Sequence, residues 1–268
     1  MHSQSEAAEK ELPVTTMIDA QVSGDGPPLV LLHSLLADRS SFLRVLGPLS
    51  CEFKVMLAAL PGFGGSPAVV GGLSDVADRV AAAIQAFSPD RPVRLLGNGY
   101  GGFVALQAVI RHPGLADRLV LADAGAAFSE PGRQAFRGMA AAATAKGLEA
   151  IADTAMRRLF ALGFHAANPG LVSDRRRIFL ASDPAVIIAA CEALAALDLR
   201  SALAGVTIPV LAVVGELDEA TPPAMAREVV AGLPNAELII LDGLAHVPQL
   251  QAPQRFLDAV VPFLSDGP

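Results

Sequence analysis

Arg94-Leu-Leu-Gly-Asn-Gly-Tyr-Gly-Gly-Phe103 is the stretch that decides how this chain folds. Val93 to Leu96 is the apolar end of a strand, and a glycine-dense turn follows. The residues to about His112 then take up helical spacing. The pattern is that of G-x-S-x-G, in which the middle residue sits on a sharp, strained strand-to-helix turn with its side chain presented as a nucleophile. Here the frame is Gly97-Asn98-Gly99-Tyr100-Gly101, and the middle position is Gly99. The turn is complete and its hydroxyl is missing.

On either side of this turn, strands and helices alternate. Val14 to Val22 reads as an early strand, Leu29-Val-Leu-Leu-His33 as a strand buried on both faces, Ser41 to Leu49 as a helix and Phe53 to Leu57 as the next buried strand. Leu73 to Phe87 is a helix and Leu119 to Ala122 another strand. From about Phe128 to Ala204 only helical periodicity remains, broken at Gly147, Gly163, Pro169 and Pro184. The alternation then resumes with Val210 to Val214, Pro222 to Gly232, Glu237 to Leu241 and Pro253 to Leu264. Strands alternating with helices imply a mostly parallel sheet. The expected organisation is a disordered lead over 1–12, an α/β core over 13–127 and 205–268, and a helical cap over 128–204.

The 268 residues are 52% hydrophobic and 18% charged, enough apolar material for one large α/β domain. A net charge of −7 argues against nucleic acid as the main partner. No apolar run is long enough to cross a bilayer, and Met1 to Lys10 lacks the apolar stretch of a signal peptide, so no membrane partner and a cytoplasmic location are expected. Cys51 and Cys191 stand in no motif spacing and are read as buried free thiols. The five histidines do not cluster with Cys, Asp or Glu at ligand spacing, so neither a metal nor any other cofactor is expected.

In a parallel sheet, functional groups gather beyond the carboxyl ends of the strands. Four such loops carry notable residues: His33-Ser34, the turn at 97–102, the segment 215–222 with Asp218, and 243–248 with His246. Asp218 and His246 follow the turn in the order nucleophile, acid, base. An Asp that holds a His fixes its tautomer and leaves the other ring nitrogen as a base. The alternative is that Asp218 caps the following helix and His246 is an ordinary loop residue. Two backbone N–H groups are needed for a developing oxyanion; by position they come from Tyr100 and from Ser34 or Leu35. The Ser34 hydroxyl suits a loop hydrogen bond better than nucleophilic attack.

These loops, in this order, resemble the α/β-hydrolase superfamily from about residue 14 onward. Within it the chain is most similar to 3-oxoadipate enol-lactonases and related esterases, through His33-Ser-Leu-Leu-Ala-Asp38, Arg158-Leu-Phe160, Cys191-Glu-Ala193 and Asp198-Leu-Arg200. The Gly-Asn-x-x-Gly-Gly turn also resembles that of meta-cleavage-product hydrolases. The resemblance implies an α/β-hydrolase fold with a mostly parallel sheet of about eight strands, a cap of about four helices, and an active site between the two. It matches Asp218 and His246 to the acid and base and puts Gly99 in the place of the nucleophilic serine. Ala59 stands where the family usually has Asp, and Leu159 where the enol-lactonase pattern often has Trp. Substrate contacts are assigned to His33, Met139, Arg158 and Phe160, Arg158 being the cap arginine placed to hold a carboxylate. The remaining cap cations, including Arg175-Arg-Arg177, read as a solvated helix face.

Three functions fit. The first is a hydrolase of small esters or enol-lactones whose serine has been lost, leaving an inactivated or substrate-trapping form. The second is a serine-less enzyme using the His246–Asp218 pair directly on water or substrate, as a hydrolase, lyase or isomerase. The third is a non-catalytic ligand-binding protein on the same fold. In each the partner is a small molecule, and the protein is a monomer or homodimer.

Overall fold

Apolar runs without alternation build most of this protein's parallel sheet. The computed structural model describes residues 18–266. Seven strands form one sheet among them: β1 (Ala20–Ser23), β2 (Pro28–Leu32), β3 (Lys54–Ala58), β4 (Val93–Asn98), β5 (Ala116–Ala122), β6 (Val210–Gly215) and β7 (Ala236–Leu241). Their spatial order is β1-β3-β2-β4-β5-β6-β7, with only the β1–β3 pair antiparallel. The segments read as strands in the sequence also number seven; the figure of about eight came from the resemblance and exceeds what residues 18–266 contain. The start of the early strand, Val14 to Met17, and the lead over 1–12 lie outside the described residues.

Every residue of β2, β4 and β6 is buried, because helices cover both faces of a parallel sheet. Along β2 the side chains alternate between two cores. Val30 and Leu32 face one that includes α2 (Leu73–Phe87) and α3 (Tyr100–Arg111). Leu29 and Leu31 face the other, where α1 (Leu43–Ser50) and the closing helix pack.

Five helices lie in the chain between β5 and β6: α4 (Glu130–Lys146), α5 (Glu149–Leu159), α6 (Leu162–Ala167), α7 (Pro169–Leu180) and α8 (Pro184–Ala196). The extra one is the short α6, whose residues are nowhere fully buried. Beyond β6 come α9 (Pro223–Gly232), the single turn α10 (Pro248–Gln251), which the sequence reading missed, and α11 (Pro253–Ser265). Arg175 does not belong to a solvated face. It is 8% exposed and its guanidinium reaches Ser40 Oγ at 2.8 Å and Asp38 Oδ1 at 3.4 Å, joining α7 to the loop after β2. Cys191 is buried, whereas Cys51, expected to be buried as well, is exposed; it falls just past α1, in the turn that leads to β3.

The connection from β3 to β4 passes back over β2, so the sheet's order reverses between β2 and β4. A crevice opens beyond the carboxyl ends of the strands at such a point. The loop after β2 and the turn after β4 meet there.

Candidate active site

Gly99 forms the N-terminal boundary of α3 with φ +53° and ψ −119°, a left-handed conformation that glycine enters without the strain of a β-carbon. Gly101, two residues on, lets the start of α3 lie directly on β2. Its N–H donates to the His33 carbonyl at 3.0 Å, and a β-carbon on it would stand 2.7 Å from that same oxygen and closer still to the Leu32 carbonyl. Asn98, fully buried, ties the turn to its neighbours. Its Nδ2 donates to the His246 carbonyl at 2.9 Å, and its Oδ1 accepts from Gln249 Nε2 at 2.9 Å.

Across the crevice stands His246, 4% exposed. Its Nδ1–H donates to Asp218 Oδ2 at 2.9 Å, leaving Nε2 as the free acceptor. Asp218 is held on all sides. Oδ1 accepts from the N–H groups of Ala220 (2.8 Å) and Thr221 (3.1 Å), and Thr221 Oγ1 lies 2.6 Å from Oδ2. It therefore caps the turn before α9 and orients the histidine at once. Burial alone pushes the Asp218 carboxyl up; the charge and hydrogen bond of His246, then Thr221, outweigh that and hold it below the ordinary carboxylate value.

Asp123, at the end of β5, is fully buried next to Asp218 and has φ +51°. Burial first, and then the Asp218 charge, push its carboxyl well above the ordinary range, so it keeps its proton while Asp218 is ionised. Its Oδ1 accepts from the Gly215 N–H at 2.9 Å, tying the loop that carries Asp218 to β5. Asp123, Asp218 and His246 place three ligand-type atoms within 4.8 Å of one another, but the His–Asp hydrogen bond already uses two of them.

The sequence reading did not single out Asn98, Asp123, Thr221 or Gln249. Only Asn98 carried a signal, as a polar residue inside an apolar strand. The others make contacts 25 or more residues away, Asp123 to Gly215, Gln249 to Asn98 and Thr221 to His246 Nδ1 at 3.2 Å, although Thr221 also holds Asp218 three residues before it.

The crevice holds a cavity of about 30 Å³, lined by Ser34, Leu35, Gly99, Tyr100, Phe128, Met139, Arg158 and His246, among others. It adjoins an outer cleft of about 590 Å³, and Phe128, Arg158 and Ala220 border both. Of the residues expected to line the site, Gly99, His246, Ser34, Leu35, Tyr100, Met139 and Arg158 come together here, with Asp218 directly behind His246. Tyr100 is the first residue of α3, where no carbonyl of the same helix can accept its N–H. Among the described residues, neither its N–H nor that of Leu35 has an acceptor. Arg158 lies 5.7 Å over the Phe136 ring and has no carboxylate within ion-pair distance among the described residues.

His33 and Phe160 are not in the lining. Phe160 is 1% exposed and stacks on Phe164 at 4.9 Å, which places it in the packing of the inserted helices. His33 is fully buried; Nδ1–H donates to the Ser34 carbonyl at 2.9 Å and Nε2 accepts from the Leu60 N–H at 3.1 Å. With both nitrogens occupied it supports the loop and has none left for a substrate. Burial, its largest influence, lowers its pKa from 6.5 to about 4, so the folded protein holds it neutral. Because the unfolded chain takes the proton first, stability contributed by neutral His33 is complete above pH 6.5 and is lost as pH falls towards 4. The expected loss over that window is about 3 kcal/mol. Denaturant unfolding at pH 7 and pH 4.5 measures it, and His33→Asn should flatten the dependence.

The sequence matches the alpha/beta hydrolase family over residues 29–259. A pimeloyl-(acyl-carrier protein) methyl ester esterase of Aeromonas hydrophila is 29% identical over 249 residues, covering 90% of this chain and 96% of that protein. The enzyme of the same name from Chromobacterium violaceum is 29% identical over 246 residues, covering 90% and 95%. Among solved structures, the enol-lactonase from Burkholderia xenovorans LB400 superposes with a TM-score of 0.87 at 25% identity, covering 93% of this chain and 96% of that one. A thermophilic esterase from Thermogutta terrifontis shares the fold with a TM-score of 0.84 at 24% identity, covering 92% of each chain. Sheet order, the glycine turn at the switch point, the acid and base loops and a family match across nearly the whole chain agree, and the chain belongs to the alpha/beta hydrolase family.

Proposed function

We propose that this protein hydrolyses small carboxylic esters or lactones, with His246 as general base oriented by Asp218, and the N–H groups of Tyr100 and Leu35 binding the oxyanion. The observation that carries the reading is the buried 2.9 Å Nδ1–Asp218 bond, which leaves His246 Nε2 as an acceptor at the cavity beside Gly99. A base with an intact acid partner and two unspent donors is suited to acyl transfer. The names of the relatives, a methyl ester esterase and an enol-lactonase, support the bond type.

The substrate's reacting carbonyl enters the inner cavity and its larger part lies in the outer cleft. Arg158 borders both spaces, so a carboxylate on the substrate would meet a guanidinium without an ion-pair partner. Arg158→Ala should raise KM for an ester bearing a distal carboxylate by about 10- to 100-fold, and for its neutral analogue by far less. Steady-state kinetics on such a matched pair decides this, and equal losses on both would remove the assignment.

Gly99 supplies no nucleophile, which leaves water activated by His246 as a second route; the cavity beside it has room for one or two water molecules. The test is turnover of p-nitrophenyl acetate, methyl monoesters of dicarboxylic acids and enol-lactones by the unaltered protein and by His246→Ala. No turnover by the unaltered protein, or turnover that survives His246→Ala, removes the reading.

A further inference from the structure

We propose that Ser34 is the nucleophile of this site, attacking from the loop after β2 in place of a side chain on residue 99. The inference rests on the ester-hydrolase reading above. Ser34 Oγ lies 3.2 Å from His246 Nε2, the ring nitrogen that Asp218 leaves free. Ser34 is 1% exposed, borders the cavity, and among the described residues its hydroxyl has no other hydrogen-bond partner. The loop hydrogen bond expected of it is made by its carbonyl instead, which accepts from Ala37 N–H and His33 Nδ1–H and fixes the backbone.

The hydroxyl also fills the space that a residue-99 side chain would take. A β-carbon on Gly99 would stand 2.5 Å from Ser34 Oγ, 2.6 Å from His246 Nε2 and 3.0 Å from Ser34 Cβ. The sheet makes the two positions equivalent. Leu32 of β2 is paired with Gly97 of β4, and two residues further along each chain are Ser34 and Gly99. They face each other across the switch point, with one base between them.

The oxyanion donors fit the exchange. In the nucleophile-elbow arrangement, one donor is the N–H of the residue after the nucleophile and the other comes from the facing loop. With Ser34 as nucleophile the following residue is Leu35, and Tyr100 becomes the facing donor. The same two N–H groups serve, with their roles reversed.

The chemistry balances with the groups present. Ser34 gives its proton to His246 Nε2 as Oγ bonds to the ester carbonyl carbon, forming a tetrahedral oxyanion. Collapse breaks the carbon–alkoxide bond, and His246 returns the proton to the departing alcohol. Water then attacks the acyl-serine and gives a proton to His246. The acid leaves as Ser34 Oγ is released and reprotonated. The net reaction consumes one water and yields one acid and one alcohol.

A fluorophosphonate probe reports the nucleophile directly, because attack bonds serine oxygen to phosphorus and expels fluoride. Peptide mass spectrometry of the full chain should find one adduct, on Ser34, absent from Ser34→Ala and His246→Ala. Hydrolysis of p-nitrophenyl acetate should fall by about 10³-fold or more in Ser34→Ala, with the melting temperature nearly unchanged. Ser34→Cys gives a second readout, a His246-dependent acetyl thioester at residue 34. Gly99→Ser should slow the reaction, because its β-carbon displaces the Ser34 hydroxyl from His246.

An unaltered protein that hydrolyses esters through His246 but takes no label on Ser34, or a Ser34→Ala variant within about tenfold of its rate, overturns the nucleophile and leaves the base assignment standing. An inert protein that gains activity only as Gly99→Ser overturns it too, since the scaffold had simply lost its serine. Neither turnover nor label removes both proposals together.

Discussion

His246→Ala is expected to lower ester hydrolysis by about 10⁴-fold or more, the largest kinetic effect of any single change at this site. Among the described residues the His246 imidazole is the group placed to take a proton, whether the proton comes from Ser34 or from water. Losing it raises the barrier by about 5 kcal/mol or more for that factor. The fold should survive. Asp218 would lose one hydrogen bond but keep those from the Ala220 and Thr221 N–H groups and from the Thr221 hydroxyl. The carboxylate is thus never left buried without donors, which is the usual cause of collapse when one partner of a buried pair is removed. Circular dichroism melting alongside kcat/KM separates the two effects. A melting temperature that falls as steeply as the rate would make His246 a structural residue, and a rate within tenfold of the unaltered protein would remove it from catalysis.

Gly101→Ala carries the largest expected loss of stability, about 3–5 kcal/mol. Its neighbours are not side chains that can rotate away; they are the backbone carbonyls of Leu32 and His33, fixed in β2 and the loop that leaves it. A methyl group there must push the start of α3 off the sheet. That movement stretches the Gly101 N–H to His33 bond and shifts Tyr100 and Ser34 relative to each other. Activity should be lost with stability, in contrast to His246→Ala. Gly138→Ala is the matched control, since a β-carbon there meets nothing within 4 Å. Inside α4 it should leave the protein unchanged or stabilise it by about 0.5–1 kcal/mol. Equal denaturation midpoints for Gly101→Ala and the unaltered protein would show that the helix start is not pinned as described.

Much of this was legible from the residues alone, because it depends on local patterns. An unbroken apolar run such as Leu29–Leu32 or Val210–Val214 belongs in a sheet covered on both sides, whatever lies elsewhere in the chain. Gly97, Gly99 and Gly101 imply a tight turn because only glycine permits the backbone approaches and the positive φ found there. The order of turn, Asp218 and His246 is a property of the sequence and needed no coordinates. These patterns determined the fold and singled out the turn, Asp218 and His246, which the structure brings together.

What the chain alone does not reveal is which side chain faces which across the crevice, because those contacts join residues far apart in sequence and are set by strand order. The Ser34 hydroxyl is 212 positions from the ring it meets. That contact follows from β2 and β4 lying side by side at the switch point, with Leu32 paired to Gly97 two residues before Ser34 and Gly99. The same distance effect hid Asp123 and Thr221 behind the acid, turned His33 away from the cavity, and brought Arg175 in from an apparent surface run. The sequence by itself determined that an aspartate and a histidine follow, in family order, a strand-to-helix turn whose middle residue carries no hydroxyl. Only the tertiary structure decided that another hydroxyl stands in its space, because parallel strands joined over a third strand bring together loops that the chain keeps apart.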